Sequence, residues 1–222
     1  MQIKIPRTLF KKGTKIRIAP RGIAPAPPTP QKEIVDEVIQ RKTIPALIES
    51  LSDADPYVRS ISAEVLGRLK EKKSIASLIA LLSDPSKYVR EKAAISLGHL
   101  GDRSAVPALI KALNDESEEV RVTVAGVLGH LRDRLAVPAL IISLSDPSAH
   151  ARMKSAISLG ILKDPLAVKP LFNLLKDDND LVRKYTCEAL GNIGIQAIPA
   201  LLLALKDEKI RAHAAQALMK IR

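Results

Sequence analysis

Apolar residues recur along most of the chain at the spacing of amphipathic helices, and these helices come in pairs. In the first helix of each pair, helix A, apolar side chains stand at i, i+3, i+4 and i+7, as between Ile44 and Leu51. The second, helix B, shows the same spacing between Val89 and Leu100. Such spacing places the apolar residues on one face of each helix. The pattern therefore predicts an all-α protein built from helical hairpins.

The helix pair is repeated six times with a nearly constant period. An Arg that follows an apolar residue near the start of helix B recurs every 31 residues and, at the last step, after 28. It is found at Arg59, Arg90, Arg121, Arg152, Arg183 and Arg211. A Gly follows it by eight residues in the first five copies, at Gly67, Gly98, Gly129, Gly160 and Gly191. A fixed period of this length is typical of a stacked repeat array.

Two recurring residues have structural interpretations. An Asp precedes the Arg by six residues in five copies, and by four in the last, where it is Asp207. It ends helix A and can cap the start of helix B, while the Arg can form an ion pair with an Asp of its own or the next repeat. The recurring Gly is unfavourable inside a helix by about 1 kcal/mol. We therefore expect it to mark a close crossing with an adjoining helix.

The chain before the repeats has a different pattern. Residues 31–42 have apolar residues on one helical face, and we interpret them as a cap helix for the repeats of residues 43–222, because a stacked array needs a protected end. Residues 1–30 form a separate arm. Its first part alternates apolar and basic residues around Gly13, which is compatible with a hairpin, and prolines between Pro20 and Pro30 exclude a helix there.

The arm is strongly basic. The chain has a formal net charge of +11. Residues 1–30 carry seven basic residues and no acid: Lys4, Arg7, Lys11, Lys12, Lys15, Arg17 and Arg21. Such asymmetry is typical of an arm that contacts an anionic partner. We expect the arm to become ordered on that partner, which could be RNA or an acidic protein.

The amino-acid composition limits the classes of protein to which the chain can belong. The chain is 46% hydrophobic but only 2% aromatic, without Trp, so the core must consist of Leu, Ile, Val and Ala. No apolar run approaches a membrane span of about 18 residues, and no secretory signal is apparent. The single Cys187 excludes an intrachain disulfide and occupies a small, buried position. These features favour a cytoplasmic protein.

The repeated residues resemble the HEAT-like repeats of the phycobilisome-lyase type. The resemblance rests on Asp84-Pro85, Val89-Arg90, Ala93-Ala94, Leu97-Gly98 and Pro107-Ala108-Leu109, and on their equivalents over about residues 43–222. It implies a right-handed α-solenoid of about six hairpins, with helix B on the concave side and helix A on the convex side. It does not extend to the arm.

If helix B lines the concave side, its non-core positions are the candidate contact residues. All the tyrosines and histidines of the chain fall in this set, together with several cations. The candidates for partner binding are Tyr57, Arg68, Tyr88, Lys92, His99, His130, His150, Lys154, Lys184, Tyr185 and His213. Amphipathic aromatic and cationic side chains are typical of contact surfaces. The alternative is that these residues are merely the solvated faces of the helices.

The same positions do not indicate catalysis. His99 and His130 occupy matching places in adjacent repeats, but no further ligands accompany them, so we expect no metal and no cofactor. The repeated His-Glu pairs of HEAT-like deoxyhypusine hydroxylases are absent, as is the Trp on which HEAT-like DNA glycosylases rely. We therefore expect no enzymatic activity and no catalytic residues.

Three functions remain. The first is a non-enzymatic scaffold that binds a protein or peptide along the helix B face, with the arm anchoring it in a larger assembly. The second is an RNA- or ribosome-associated protein that uses the arm, and the basic turns from helix B to helix A, on phosphates. The third, which the resemblance suggests, is a subunit of a bilin-lyase-like enzyme.

Overall fold

The computed structural model describes residues 43–221, and every regular element in this range is helical. The predicted cap helix (31–42) and the basic arm (1–30) lie outside the described residues. Six helical hairpins follow one another, as the repeat pattern predicts. They are α1 (Ile44–Glu49) with α2 (Pro56–Arg68), α3 (Ile75–Ala80) with α4 (Lys87–Leu100), α5 (Val106–Ala112) with α6 (Glu118–Leu131), α7 (Val137–Ile142) with α8 (Ala149–Leu162), α9 (Val168–Leu174) with α10 (Asp180–Ile193), and α11 (Ile198–Ala204) with α12 (Arg211–Lys220).

The A helices are shorter than their apolar pattern predicts. Each α-helical part is only six or seven residues long, and a 3-10 turn adjoins it on at least one side. Around α7 there is one on each side, Arg134–Ala136 and Ser143–Ser145. Proline occupies the first turn of four of these helices, for example Pro107 of α5 and Pro138 of α7. The first backbone N–H groups of a helix have no partner within it, so proline is tolerated there.

The core lies between the two helix layers. One leucine from each of α2, α4, α6, α8 and α10 and one from each of α3, α5, α7, α9 and α11 are almost fully buried. They are Leu66, Leu97, Leu128, Leu159 and Leu190, and Leu78, Leu109, Leu140, Leu171 and Leu201. Each contributes about 1.5–3 kcal/mol through burial. Cys187 is buried in the same core with a free thiol, as predicted, and burial raises its pKa to about 11.

Close approach between B helices explains the recurring glycine. A Cβ added to Gly67 would lie 2.6 Å from the Ser96 Cβ of the next B helix, and one added to Gly160 would lie 2.7 Å from the Ala189 Cα. The Ser96 hydroxyl also donates to the Ala63 carbonyl at 2.8 Å. The predicted close crossing is therefore confirmed. Each B helix packs along the next, whereas the shorter A helices contact one another less.

The recurring Arg and Asp form a ladder along the turns between helix A and helix B. Arg121 donates from Nε and from a terminal nitrogen to both carboxylate oxygens of Asp146 in the next repeat, at 2.7 and 2.9 Å. It also donates to the Asp115 and Glu116 carbonyls of its own repeat. The same bidentate pair joins Arg59 to Asp84, Arg90 to Asp115 and Arg152 to Asp177. The expected ion pair thus forms, and it reaches forward to the next repeat.

The ladder ends at the last repeat, whose turn is shorter. Arg183 keeps its bonds to the Asp177 and Asp178 carbonyls. Its ion pair is with Asp180 of its own helix, and its buried Nε has no described partner. Asp207, the equivalent residue of the last repeat, keeps the hydrogen bond from the amide two residues ahead, that of Lys209, at 2.9 Å. It does not pair with Arg183. The last repeat, whose step is 28 rather than 31 residues, thus lacks the ion pair that joins the earlier repeats.

The opposite edge of the array is basic. Seven exposed cations lie in or beside the turns from helix B to helix A: Lys70, Lys72, Lys73, Arg103, Arg132, Arg134 and Lys163. Three of them, Lys70, Arg132 and Lys163, have positive φ angles of 53–54°. None of the helices between residues 43 and 221 is long and apolar enough to cross a membrane.

Candidate partner-binding site

Five positions of each B helix share one helical face and together form one surface, which we name the B face. Most of their side chains are exposed or half-buried, whereas Ser60 is buried and Met153 packs against the core. In α4 they are Tyr88, Glu91, Lys92, Ile95 and His99. Their spacing of three or four residues keeps them on one side of the helix. The equivalent positions are 57, 60, 61, 64 and 68 in α2, 119, 122, 123, 126 and 130 in α6, 150, 153, 154, 157 and 161 in α8, 181, 184, 185, 188 and 192 in α10, and 209, 212, 213, 216 and 220 around α12.

All eleven residues predicted for partner binding lie on the B face, and none of them is buried. Tyr57 and Tyr88 are the most exposed aromatic residues between residues 43 and 221, with 70% and 67% of their surfaces exposed. The ammonium groups of Lys87 and Lys184 each lie 5.5 Å from the centre of a neighbouring ring, of Tyr88 and Tyr185 respectively. Such cation–π contacts favour one orientation of the ring.

The first two repeats present a neutralised cluster. The Lys92 ammonium lies 2.6 Å from Oε2 of Glu64 on the preceding B helix, and Arg68 pairs with the other oxygen of the same carboxylate. The hydrogen bond from Lys92 holds the pKa of Glu64 below its usual value, with further help from the charges of Arg68 and His99. In these two repeats, the Glu64 carboxylate therefore neutralises cations of the B face from within the protein.

A second set of polar contacts joins neighbouring B helices near their first turns. Glu119 accepts from the Ser117 hydroxyl at 2.6 Å and from the Lys87 ammonium at 2.9 Å. These two hydrogen bonds lower its pKa to about 2. Glu118 similarly accepts from the Ser148 hydroxyl at 2.5 Å and lies 3.1 Å from His150 Nδ1. These contacts therefore connect α4 to α6, and α6 to the start of α8, in the unbound chain.

An open cleft of about 520 Å³ lies on the B face between α4, α6 and α8. Its lining residues are Ile95, Gly98, His99, Val122, Thr123, Gly126, Val127, His130 and Lys154. Three predicted residues, His99, His130 and Lys154, are brought together here. The cleft exists because α6 has Gly126 where the neighbouring helices have Ile95 and Ile157. Sequence reasoning missed Gly126, although the change from Ile to Gly at an equivalent position was the available signal.

The cleft is lined by side chains that can form hydrogen bonds and by one cation. His99 and His130 line it as expected from their matching positions. Within residues 43–221, no group of three or more His, Cys, Asp or Glu side chains is arranged to hold a metal ion. The cleft thus offers hydrogen-bond donors and a cation above an apolar floor.

Comparison with protein families identifies the repeats. The HEAT-repeat family model matches residues 44–118, 106–184 and 168–222, which together span most of the chain. The protein therefore belongs to the HEAT repeat family. No curated protein matches the chain in sequence.

Solved structures share the architecture. The complex of CpcE and CpcF of phycocyanin lyase from Nostoc sp. PCC7120 contains a chain that is 26% identical, with a TM-score of 0.62 over 92% of this chain and 81% of that one. This similarity supports the HEAT-like repeat type expected from the sequence. A designed armadillo repeat protein in complex with the peptide (KR)4 has a TM-score of 0.59 and 20% identity over 81% of this chain and 99% of its own. The latter likeness concerns the fold alone.

Proposed function

We propose that this protein is a non-enzymatic scaffold that binds a protein partner along the B face. The observation that carries the proposal is that the exposed tyrosines and the histidines all gather on this one surface. Aromatic and cationic side chains supply much of the energy at protein interfaces. The contacts of Glu118 and Glu119 hold part of the surface in place, and preorganisation lowers the entropic cost of binding.

The basic arm has a supporting role in this proposal. Its seven cations would anchor the scaffold in a larger assembly by contacting an acidic surface. The arm and the B face would then recognise different parts of the same assembly.

A second candidate is an RNA- or ribosome-associated function. The seven exposed cations in the turns from helix B to helix A favour it, because they form a basic edge. Binding through phosphate contacts would weaken steeply between about 50 and 200 mM salt. A subunit of a bilin-lyase-like enzyme is a lesser candidate, favoured by the similarity to the phycocyanin lyase complex.

Affinity purification with the full chain separates these functions. The test variant is Tyr88→Ala with His99→Ala on the B face, and its matched control is Lys111→Ala with Asn173→Ala on the exposed side of the A layer. A third variant lacks residues 1–30, and both protein and RNA are identified in each sample. All these side-chain changes affect exposed residues, so the melting temperature should stay within a few degrees of that of the unmodified chain.

The scaffold proposal expects protein partners that the B-face variant loses and the A-layer control keeps. Equal recovery of the partner by both double variants would overturn it. RNA that is recovered at low salt and lost on deletion of the arm would instead support the second candidate.

A further inference from the structure

Two lysines at equivalent positions of the B face have different surroundings. Lys92 of α4 forms an ion pair of 2.6 Å with Glu64 of the preceding B helix. Lys154 of α8 occupies the same position two repeats later, but the preceding helix α6 has Gly126 where α2 has Glu64. The contact that neutralises the first lysine is therefore missing at the second.

The stem of Lys154 passes directly over the missing side chain. Its Cδ lies 3.3 Å, and its Cε 3.8 Å, from the point that a Cβ on Gly126 would occupy. Among residues 43–221, no carboxylate lies within 4.0 Å of the Lys154 ammonium. Lys154 is thus placed as Lys92 is in its ion pair, but the carboxylate partner is missing.

The surroundings of Lys154 suit a carboxylate from another molecule. His99 and His130 line the same cleft and can donate hydrogen bonds. Within the described part of the chain, no carboxylate lines the cleft, and the acids of neighbouring B helices are engaged, because Glu64 pairs with Lys92 and Glu91 accepts from the Thr123 hydroxyl at 3.3 Å. Glycine is unfavourable inside a helix, yet here it keeps the cleft open.

We propose that this cleft binds an acidic side chain, Asp or Glu, of the protein partner, with Lys154 as its counter-ion. The proposal rests on the proposed function, in which the B face binds a protein. The partner's carboxylate would take the place that the Glu64 carboxylate takes beside Lys92. The apolar floor of Ile95, Val122 and Val127 would contact the methylene groups of the same side chain.

Random peptides displayed on phage and selected on the immobilised full chain supply the probe. Selected peptides should share an Asp or Glu at one fixed position. The best peptide and its Glu→Gln (or Asp→Asn) counterpart are then synthesised, and their affinities are measured by fluorescence anisotropy. A partly buried hydrogen bond between charged groups makes the acidic peptide about tenfold tighter or more.

Variants of the cleft assign this preference to Lys154. Lys154→Met keeps the stem but removes the charge, and Gly126→Glu recreates the internal pair, so both should reduce the preference to about twofold or less. Gly126→Gln fills the same volume without a charge, so it should weaken both peptides but keep a preference for the acidic one. Lys111→Met, on the exposed side of the A layer and outside the B face, should leave both affinities and the preference unchanged.

The outcomes distinguish the two proposals. Selected peptides that bind through the B face but show no acid preference, or keep it in Lys154→Met, overturn the cleft proposal alone. Peptide binding that keeps its full affinity both in Tyr88→Ala with Tyr185→Ala and in Lys154→Met counts against the B face itself. A selection that enriches no peptide counts against both.

Discussion

The same substitution at two glycines of α6 should change stability in opposite directions. Gly129 is one of the recurring glycines at the crossing with the next B helix, whereas Gly126 lines the cleft on the B face. Replacing either by Ala should favour the helix by about 1 kcal/mol, because glycine has the greater backbone freedom to lose on folding. The difference between them must therefore come from the surroundings of the added methyl group.

At Gly129 the surroundings leave no room. The Cβ would lie 2.5 Å from the Ser158 Oγ and 2.9 Å from the Ser158 Cα, so the backbone of α8 would have to move. Overpacking of this kind costs about 1–3 kcal/mol. The hydrogen bond of 2.7 Å from the Ser158 hydroxyl to the Ala125 carbonyl would also be lost, at about 1 kcal/mol. After the helix gain, Gly129→Ala should lower the free energy of unfolding by about 1–3 kcal/mol.

At Gly126 the nearest atom is the Lys154 Cδ at 3.3 Å, in a flexible side chain. A small rotation of that side chain relieves the contact. Gly126→Ala should therefore raise the free energy of unfolding by up to about 1 kcal/mol.

Urea denaturation followed by far-ultraviolet circular dichroism measures both changes against the unmodified chain. The slope of the transition should stay constant, since neither variant alters the surface exposed on unfolding. A Gly129→Ala variant as stable as the unmodified chain would refute the close approach of α6 and α8. A Gly126→Ala variant that loses more than about 1 kcal/mol would refute the view that the cleft is open.

Three further predictions concern single residues. Burial alone would raise the pKa of Asp146, but hydrogen bonds from Arg121 and the Ser148 amide outweigh it and hold the pKa below its usual value. The stabilisation is therefore present above about pH 4 and lost as the pH falls through the folded-state pKa. Asp146→Asn should lower the free energy of unfolding at pH 7 by about 3 kcal/mol and flatten its acid dependence in urea titrations; an unchanged acid slope would contradict the ladder. Because burial raises the Cys187 pKa to about 11, its thiol should react with a disulfide reagent at pH 8 only on unfolding, and rapid reaction of the folded chain would contradict the packing. Lys163→Gly should raise the melting temperature, because glycine adopts the positive φ of 53° without a Cβ clash; a lower melting temperature would contradict this explanation.

The repeated residues made the fold predictable. Each repeat presents the same apolar spacing, and the Arg, Asp and Gly recur wherever the same contact recurs. Identical contacts require identical residues, so the period revealed the hairpins, the ion pairs and the close crossing at Gly160. The forward direction of the Arg121–Asp146 pair was not predictable, because Asp115 of the same repeat lies only six residues before Arg121 and was an equally possible partner.

The cleft was not predictable for a related reason. Its binding character depends on what surrounds Lys154, and the relevant neighbour, Gly126, lies on a different helix. The contact between Lys92 and Glu64 in the structure shows that these positions of adjacent B helices face each other. The 3-10 turns around the short A helices were missed because apolar spacing alone does not distinguish them from one longer helix.

Site-specific photo-cross-linking tests the B face most directly. A photoreactive phenylalanine derivative replaces Tyr88 on the B face or, as the control, Ile142 on the A layer; these residues are 67% and 73% exposed. Cross-linking is carried out in cells, and the adducts are identified by mass spectrometry. The scaffold account predicts a discrete protein adduct from position 88 that is absent from position 142. Adducts from position 142 alone, or nucleic-acid adducts from position 88, would contradict it.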